Sequence, residues 1–177
     1  SCVWSLAMSK AFKSGLCAYC CAAESTTADH VIARGFFPED SRANLPKVGA
    51  CLECNNKKSK LEHTLTAVMP FGARHGRASE ALMAVERMLA RNKSLHRLMA
   101  LGFHSVFRSV NGSPWKLETM VPLDGGNLEL LGEYLVKGLA RHHWGLDLGK
   151  DTCVRASFLN AEGAAIFDQF FAGNTRG

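Results

Sequence analysis

Cys17-Ala18-Tyr19-Cys20 and, further on, Cys51-Leu52-Glu53-Cys54-Asn55 frame the stretch whose reading decides the fold. Each Cys-x-x-Cys pair makes a tight knuckle that points two sulfurs at one ion. Two knuckles supply the four thiolates of a tetrahedral structural zinc. Zn–S bonds of about 2.3 Å require all four sulfurs to lie within roughly 4 Å of one another. The loop between the knuckles is thereby closed at both ends. Asp29 and His30 lie inside that loop and are carried towards Asn55, which follows Cys54 directly. The spacing predicts a second site built on a metal-stapled scaffold.

Outward from the knuckles, Ser25 to Ala33 is rich in β-branched residues and predicts a strand. Gly35 to Lys47 contains Pro38, Asn44 and Pro46 and reads as loop. Asn55 to His63 predicts a helix with Asn55 in its first turn, where backbone N–H groups and the helix dipole favour an anion. Lys57, Lys58 and Lys60 add positive charge beside that turn. They are expected to be either a solvated face or contacts to a phosphate backbone. Cys21 adjoins Cys20 and is an alternative metal ligand, although the Cys-x-x-Cys spacing favours Cys20.

The ordered set Cys17-x-x-Cys20, Asp29-His30, Asn44-Leu45, Cys51-x-x-Cys54-Asn55-x-x-Lys58 closely resembles the zinc-containing HNH endonucleases of the ββα-metal fold. The resemblance covers the chain from Cys17 to about His63. It implies an α+β chain whose ββα-metal module is stapled by a four-cysteine zinc site. By the same resemblance, His30 is the general base, Asp29 and Asn55 hold a catalytic Mg²⁺ or Mn²⁺, and Asn44 braces the loop by hydrogen bonds. Phosphodiester hydrolysis suits such residues. A neutral imidazole takes a proton from water near pH 7, and a hard cation takes oxygen ligands while keeping several waters. Ser59 stands where many members have a second metal-binding His, which favours the oxygen-only ion site. Glu62 and His63 are further candidates to reach the ion or the phosphate. Successive strand residues face opposite ways, so Asp29 and His30 can serve together only if the strand twists or ends there.

The bulk numbers suit this reading. The chain has 177 residues, 47% of them hydrophobic and 21% charged, as in an ordinary globular protein. No apolar run is long enough for a membrane span, and no basic-then-apolar leader is evident. Seven cysteines, four of them in knuckles, then suggest a reduced, cytoplasmic metal-binding protein rather than a disulfide scaffold. The net charge of +5 is uneven: residues 64–110 hold seven arginines and lysines against two glutamates. A basic middle beside a metal-site candidate suits a polyanion such as nucleic acid, with Arg87 and Arg91 among the contacts, against the alternative of a solvated helix face; the resemblance implies DNA, with RNA as an open alternative.

The organisation expected is an HNH module over 1–66 and a mixed helical and strand portion over 67–177 that shares its core. A short helix is expected within 1–16. Ser79 opens an amphipathic helix and Ser94 caps another. Residues 106–110 and 115–121 suggest a hairpin. Asn127 caps a helix that Gly145 ends. Thr152–Leu159 suggests a strand and Ala161–Phe171 a last helix. A reading from a different class is a zinc-ribbon module that binds nucleic acid without cutting it. Its metal would be purely structural, and Asp29, His30 and Asn55 would be surface residues.

Overall fold

The computed structural model describes residues 12, 15–72, 76–109, 112–149, 152–156 and 161–172. Strand β1 (Thr27–His30) pairs antiparallel with β2 (Lys47–Ala50), in the register Thr27↔Ala50 and Asp29↔Val48. Helix α1 (Leu52–Val68) comes directly after β2. The strand expected over residues 25–33 is shorter, and its two ends explain why. Ser25 is buried with its hydroxyl donating to the Phe12 carbonyl, and Val31 N–H donates to Pro46 O before the chain bends away. Two short 3₁₀ turns, Arg34–Phe36 and Glu39–Ser41, fill the connecting loop.

The sheet alternates as a half-buried hairpin should. Val48 and Ala50 are buried, and the register puts Thr27 and Asp29 on that same inner face. Ala28, His30, Lys47 and Gly49 fall on the other face. α1 lies against β1 and runs unbroken to Val68. Its buried positions are Lys58, Glu62, Leu65, Thr66, Ala67 and Val68. The first inward turns of this helix are therefore charged rather than apolar.

Beyond α1 come α2 (Ala78–Arg91), α3 (Lys93–Gly102), the antiparallel pair β3 (His104–Arg108) and β4 (Lys116–Met120), α4 (Gly125–Trp144) and α5 (Ala161–Phe171). The cap of α3 is Asn92, whose side chain accepts from Leu95 N–H; Ser94, the expected cap, donates its hydroxyl to Asn92. Likewise Asp124, not Asn127, caps α4 by accepting from Gly126 N–H. In both cases the residue with a carboxylate or amide oxygen ahead of the helix serves the free N–H groups. Gly145 ends α4 as expected, in the left-handed region at φ 65°, with Leu146 N–H returning to Ala140 O. The helix expected within 1–16 lies outside the described residues except at Phe12, 15 and 16. Residues 152–156 form no strand, and 157–159 of that expected strand lie outside the described residues.

Among the described residues, two clusters make the core. One gathers Tyr19, Val31, Val48, Ala50 and the buried cysteines, and Tyr134, Leu135 and Leu139 of α4 pack on it. The second gathers Val68, Val85, Leu95 and Met99 where α1, α2 and α3 meet. α4 approaches the end of β1 so closely that a Cβ at Gly138 would sit 2.7 Å from Val31 Cγ1. The C-terminal half thus shares the core of the hairpin unit. Among the described residues, no helix is long and apolar enough to cross a membrane.

Candidate functional site

Cys17, Cys20, Cys51 and Cys54 bring their four sulfurs within 4.8 Å of one another. Tetrahedral Zn–S bonds of about 2.3 Å put sulfurs roughly 3.8 Å apart, so a small contraction around an ion completes the geometry. The first knuckle is shaped by Cys21 N–H bonding Cys17 O and by Tyr19 N–H facing Cys17 Sγ at 3.4 Å. The second is the start of α1, where Cys51 is the N-cap and its Sγ receives Cys54 N–H at 3.5 Å. Burial pushes the Cys17 thiol up. It presses on Cys20 in the same sense, but the Ala23 and Ala22 amides outweigh it and bring that thiol to about 7. Burial together with the three neighbouring sulfurs raises Cys54. A divalent cation would relieve the burial and crowding that raise Cys17 and Cys54. Cys21 takes no part: it stands at φ 51° and its Sγ turns to Asp147.

The inner face of β1 carries the rest of the site. Asn55, one turn into α1, donates through Nδ2 to Thr27 Oγ1 at 3.0 Å. One turn further along, Lys58 reaches Asp29 Oδ2 at 3.0 Å and donates to the His30 carbonyl at 2.7 Å. It also pairs with Glu62, and its side chain is wholly buried. Tyr19, from inside the first knuckle, donates its hydroxyl to the same Asp29 oxygen at 2.5 Å. The Lys58 ammonium lies 5.9 Å from the Tyr19 ring centroid. Burial raises Glu62 above the usual carboxylate range, against the pull of Lys58. Burial also pushes the Tyr19 hydroxyl well up, and Asp29 adds to it, so Tyr19 stays protonated as a donor.

Lys58 therefore corrects an expectation. Placed by sequence beside a phosphate, it is instead the buried centre of two carboxylates, a backbone carbonyl and a tyrosine face. Asp29 and Asn55 each have their own partners, Tyr19 and Lys58 for Asp29 and Thr27 for Asn55. Asp29 Oδ1 and Asn55 Oδ1 accept no hydrogen bond among the described residues, and neither is a buried polar atom left unsatisfied. The Asp29 side chain as a whole is 11% exposed.

His30 closes β1, and the chain bends immediately after it. It is half-buried on the face opposite Asp29, with Lys47 as its cross-strand neighbour. Burial first, then the Lys47 and Arg34 charges, hold its imidazole below the ordinary histidine value. His30 is consequently neutral near pH 7. Asn44 is exposed in the left-handed region at φ 59°, and its side chain makes no hydrogen bond among the described residues. An asparagine tolerates that backbone better than most residues, so its contribution here is conformational rather than the expected bracing bond. Ser59 and His63 are exposed and make no side-chain bond to the network among the described residues.

No family model, curated protein or solved structure matches this chain. The site must be judged on its own geometry. Of the remaining expected nucleic-acid contacts, Lys57 is exposed and bonded to Glu53 at 2.7 Å, while Lys60, Arg87 and Arg91 are exposed without an ion pair among the described residues. Sequence reading missed Tyr19 and the joining role of Glu62. The signal was there for one of them: Lys58 and Glu62 stand four apart, the spacing of a helical ion pair.

Proposed function

We propose that the chain is a metal-dependent HNH-type endonuclease that hydrolyses phosphodiester bonds in DNA, with a structural Zn²⁺ on Cys17, Cys20, Cys51 and Cys54. One observation carries the reading. A hairpin and helix joined in the order β–β–α, closed by four converging sulfurs, set a neutral His30 at the strand end and the oxygens of Asp29 and Asn55 along one face. The chemistry comes from those groups. His30 takes a proton from water through an imidazole nitrogen, so that the water oxygen adds to phosphorus as the bond to the leaving oxygen breaks. Asp29 Oδ1 and Asn55 Oδ1, neither taken by a hydrogen bond among the described residues, are hard donors that would fit Mg²⁺ or Mn²⁺ beside several waters. Such an ion supplies Lewis-acid stabilisation of the developing charge. Tyr19 and Lys58 hold Asp29 by its other oxygen, and the Lys58 bond to the His30 carbonyl fixes the backbone that carries the base.

A second reading draws on Lys58 as well. Its ammonium already balances Asp29, which disfavours a second cation nearby and suits a zinc-bearing module that binds nucleic acid without cutting. Incubation of supercoiled plasmid with millimolar Mg²⁺ or Mn²⁺, against EDTA, separates the two. Relaxed or linear product in the metal lanes alone supports the nuclease; plasmid bound but intact in every lane supports the binding module.

A further inference from the structure

The outer face of the β1–β2 hairpin carries a feature that the four-cysteine cluster and Asp29 do not use. Lys47 stands directly across from His30, and Val31 N–H donates to Pro46 O one pair further along. Hydrogen-bonded and non-bonded pairs alternate in an antiparallel ladder. His30 and Lys47 are therefore the non-bonded kind, in which side chains come closer. Their outward carbonyls agree: His30 O accepts from Lys58, and Lys47 O is bonded to His142 Nδ1 at 3.0 Å. A carbonyl only accepts, so that ring nitrogen carries a hydrogen. The bond ties the last turn of α4 to the strand end opposite His30.

Lys47 and Arg141 line one cleft of about 200 Å³, with Phe12 and Ser25 as a further wall. Phe12 O stands so near Gly49 that a Cβ there would come within 2.5 Å of it. The outer face is thus covered at Gly49, while Lys47 and His30 stay half-buried. No carboxylate lines the cleft among the described residues. Arg141 pairs with Asp147 through Nη1, and its Nε and Nη2 make no hydrogen bond among the described residues. Lys47 has no ion pair among the described residues, and its charge is felt at His30. Basic residues in a last helical turn are favoured by the dipole, but Lys47 lies on a strand and gains nothing from it. The α4 carbonyls that would repel an anion are capped by the Gly145 and Leu146 N–H groups. A half-buried ammonium with a cationic neighbour and no carboxylate of its own is stabilised by an anion.

We propose that Lys47 and Arg141 seat a backbone phosphate of the nucleic-acid strand, next to the phosphate that the His30-activated water attacks. The inference deepens the nuclease reading and rests on it for the choice of a backbone phosphate over a free anion. The two cations hold the strand on the face of the hairpin that carries His30.

The test is fluorescence anisotropy of the full chain with Zn²⁺ supplied and no Mg²⁺ or Mn²⁺, using a labelled DNA duplex over a range of salt. Lys47→Gln and Arg141→Gln should each weaken binding and lower the log–log salt slope by up to about 0.9. Lys47→Arg, which keeps the charge, should retain both affinity and slope. Unchanged slopes in both glutamine variants would overturn the proposal. An equal loss in Lys47→Arg would make the effect one of packing and overturn it too. Inorganic phosphate supplies a second arm. If it raises the melting temperature of wild type but not of Lys47→Gln, while the DNA slope is unmoved, the seat takes a free anion and the proposal falls. The outcomes separate from the nuclease reading. Plasmid cleavage in Mn²⁺ with unchanged variant slopes sinks the phosphate seat alone. Absent cleavage with lowered slopes in both glutamine variants sinks the nuclease and leaves the seat as a backbone contact.

Discussion

Lys58 shows how a single residue's place decides its meaning. An exposed lysine beside a helix start is a phosphate contact, whereas a buried one between Asp29 and Glu62 is a structural cation. Removing one partner of a buried charge set is far more costly than its net worth. Lys58→Met should therefore destabilise the fold by about 3 kcal/mol in urea unfolding, because two carboxylates lose their counter-charge. Lys60→Met, on an exposed position of the same helix, should stay within about 0.5 kcal/mol. If Lys58→Met unfolds like wild type and only loses affinity for DNA, the buried role is wrong. His30 carries a second prediction at this scale. Burial and the Lys47 and Arg34 charges depress its pKa, so the proton-accepting form persists to lower pH. The acid limb of cleavage should lie below about 6.5, the ordinary histidine value. Lys47→Gln should move that limb up, since it removes a charge that opposes protonation. A pH–rate profile with the limb unmoved by Lys47→Gln would detach His30 from the chemistry.

Among the elements, α1 explains what could be read from sequence and what could not. The knuckles were legible because thiolate spacing is geometry written directly in the chain, and Cys21 could be set aside for the same reason. The first strand was legible from its β-branched residues, whereas β2 was not legible from its residues and its first member, Lys47, falls in the expected loop; the ββα order comes with the resemblance. The inward stripe of α1 was not, because its first positions are Lys58 and Glu62, and apolar periodicity cannot register a charged core. Asn44 was found by pattern, but its part is a left-handed backbone rather than a hydrogen bond. Ser94 and Asn127 were placed too late as caps, because the helices already begin after Asn92 and Asp124, which accept from the free Leu95 and Gly126 N–H groups. The packing of α4 on β1 left little trace in the sequence beyond Gly138. Gly138→Ala would force Val31 aside and should cost about 1–3 kcal/mol by overpacking, read as a lower urea midpoint. An unchanged midpoint would mean that α4 and β1 part easily.

At the scale of the whole molecule, a four-cysteine cluster that could hold a metal closes the scaffold that carries His30. Four sulfurs from two distant knuckles fix the ends of the loop, and Tyr19 carries that constraint from the first knuckle to Asp29. Chelation should then unfold the hairpin unit, seen as loss of far-ultraviolet circular dichroism, because so small a unit has little core of its own. Retained structure in strong chelator would separate the cysteines from the fold. Whether this scaffold presents His30 as the base for phosphodiester hydrolysis is decided by one comparison. Wild type and His30→Ala are each assayed for zinc content and for single-turnover cleavage of plasmid in Mn²⁺. One zinc per chain is expected in both proteins, with a cleavage rate about 10²–10⁴-fold lower in His30→Ala. Equal rates in the two proteins, with zinc content unchanged, would remove His30 from the chemistry and the proposed mechanism with it.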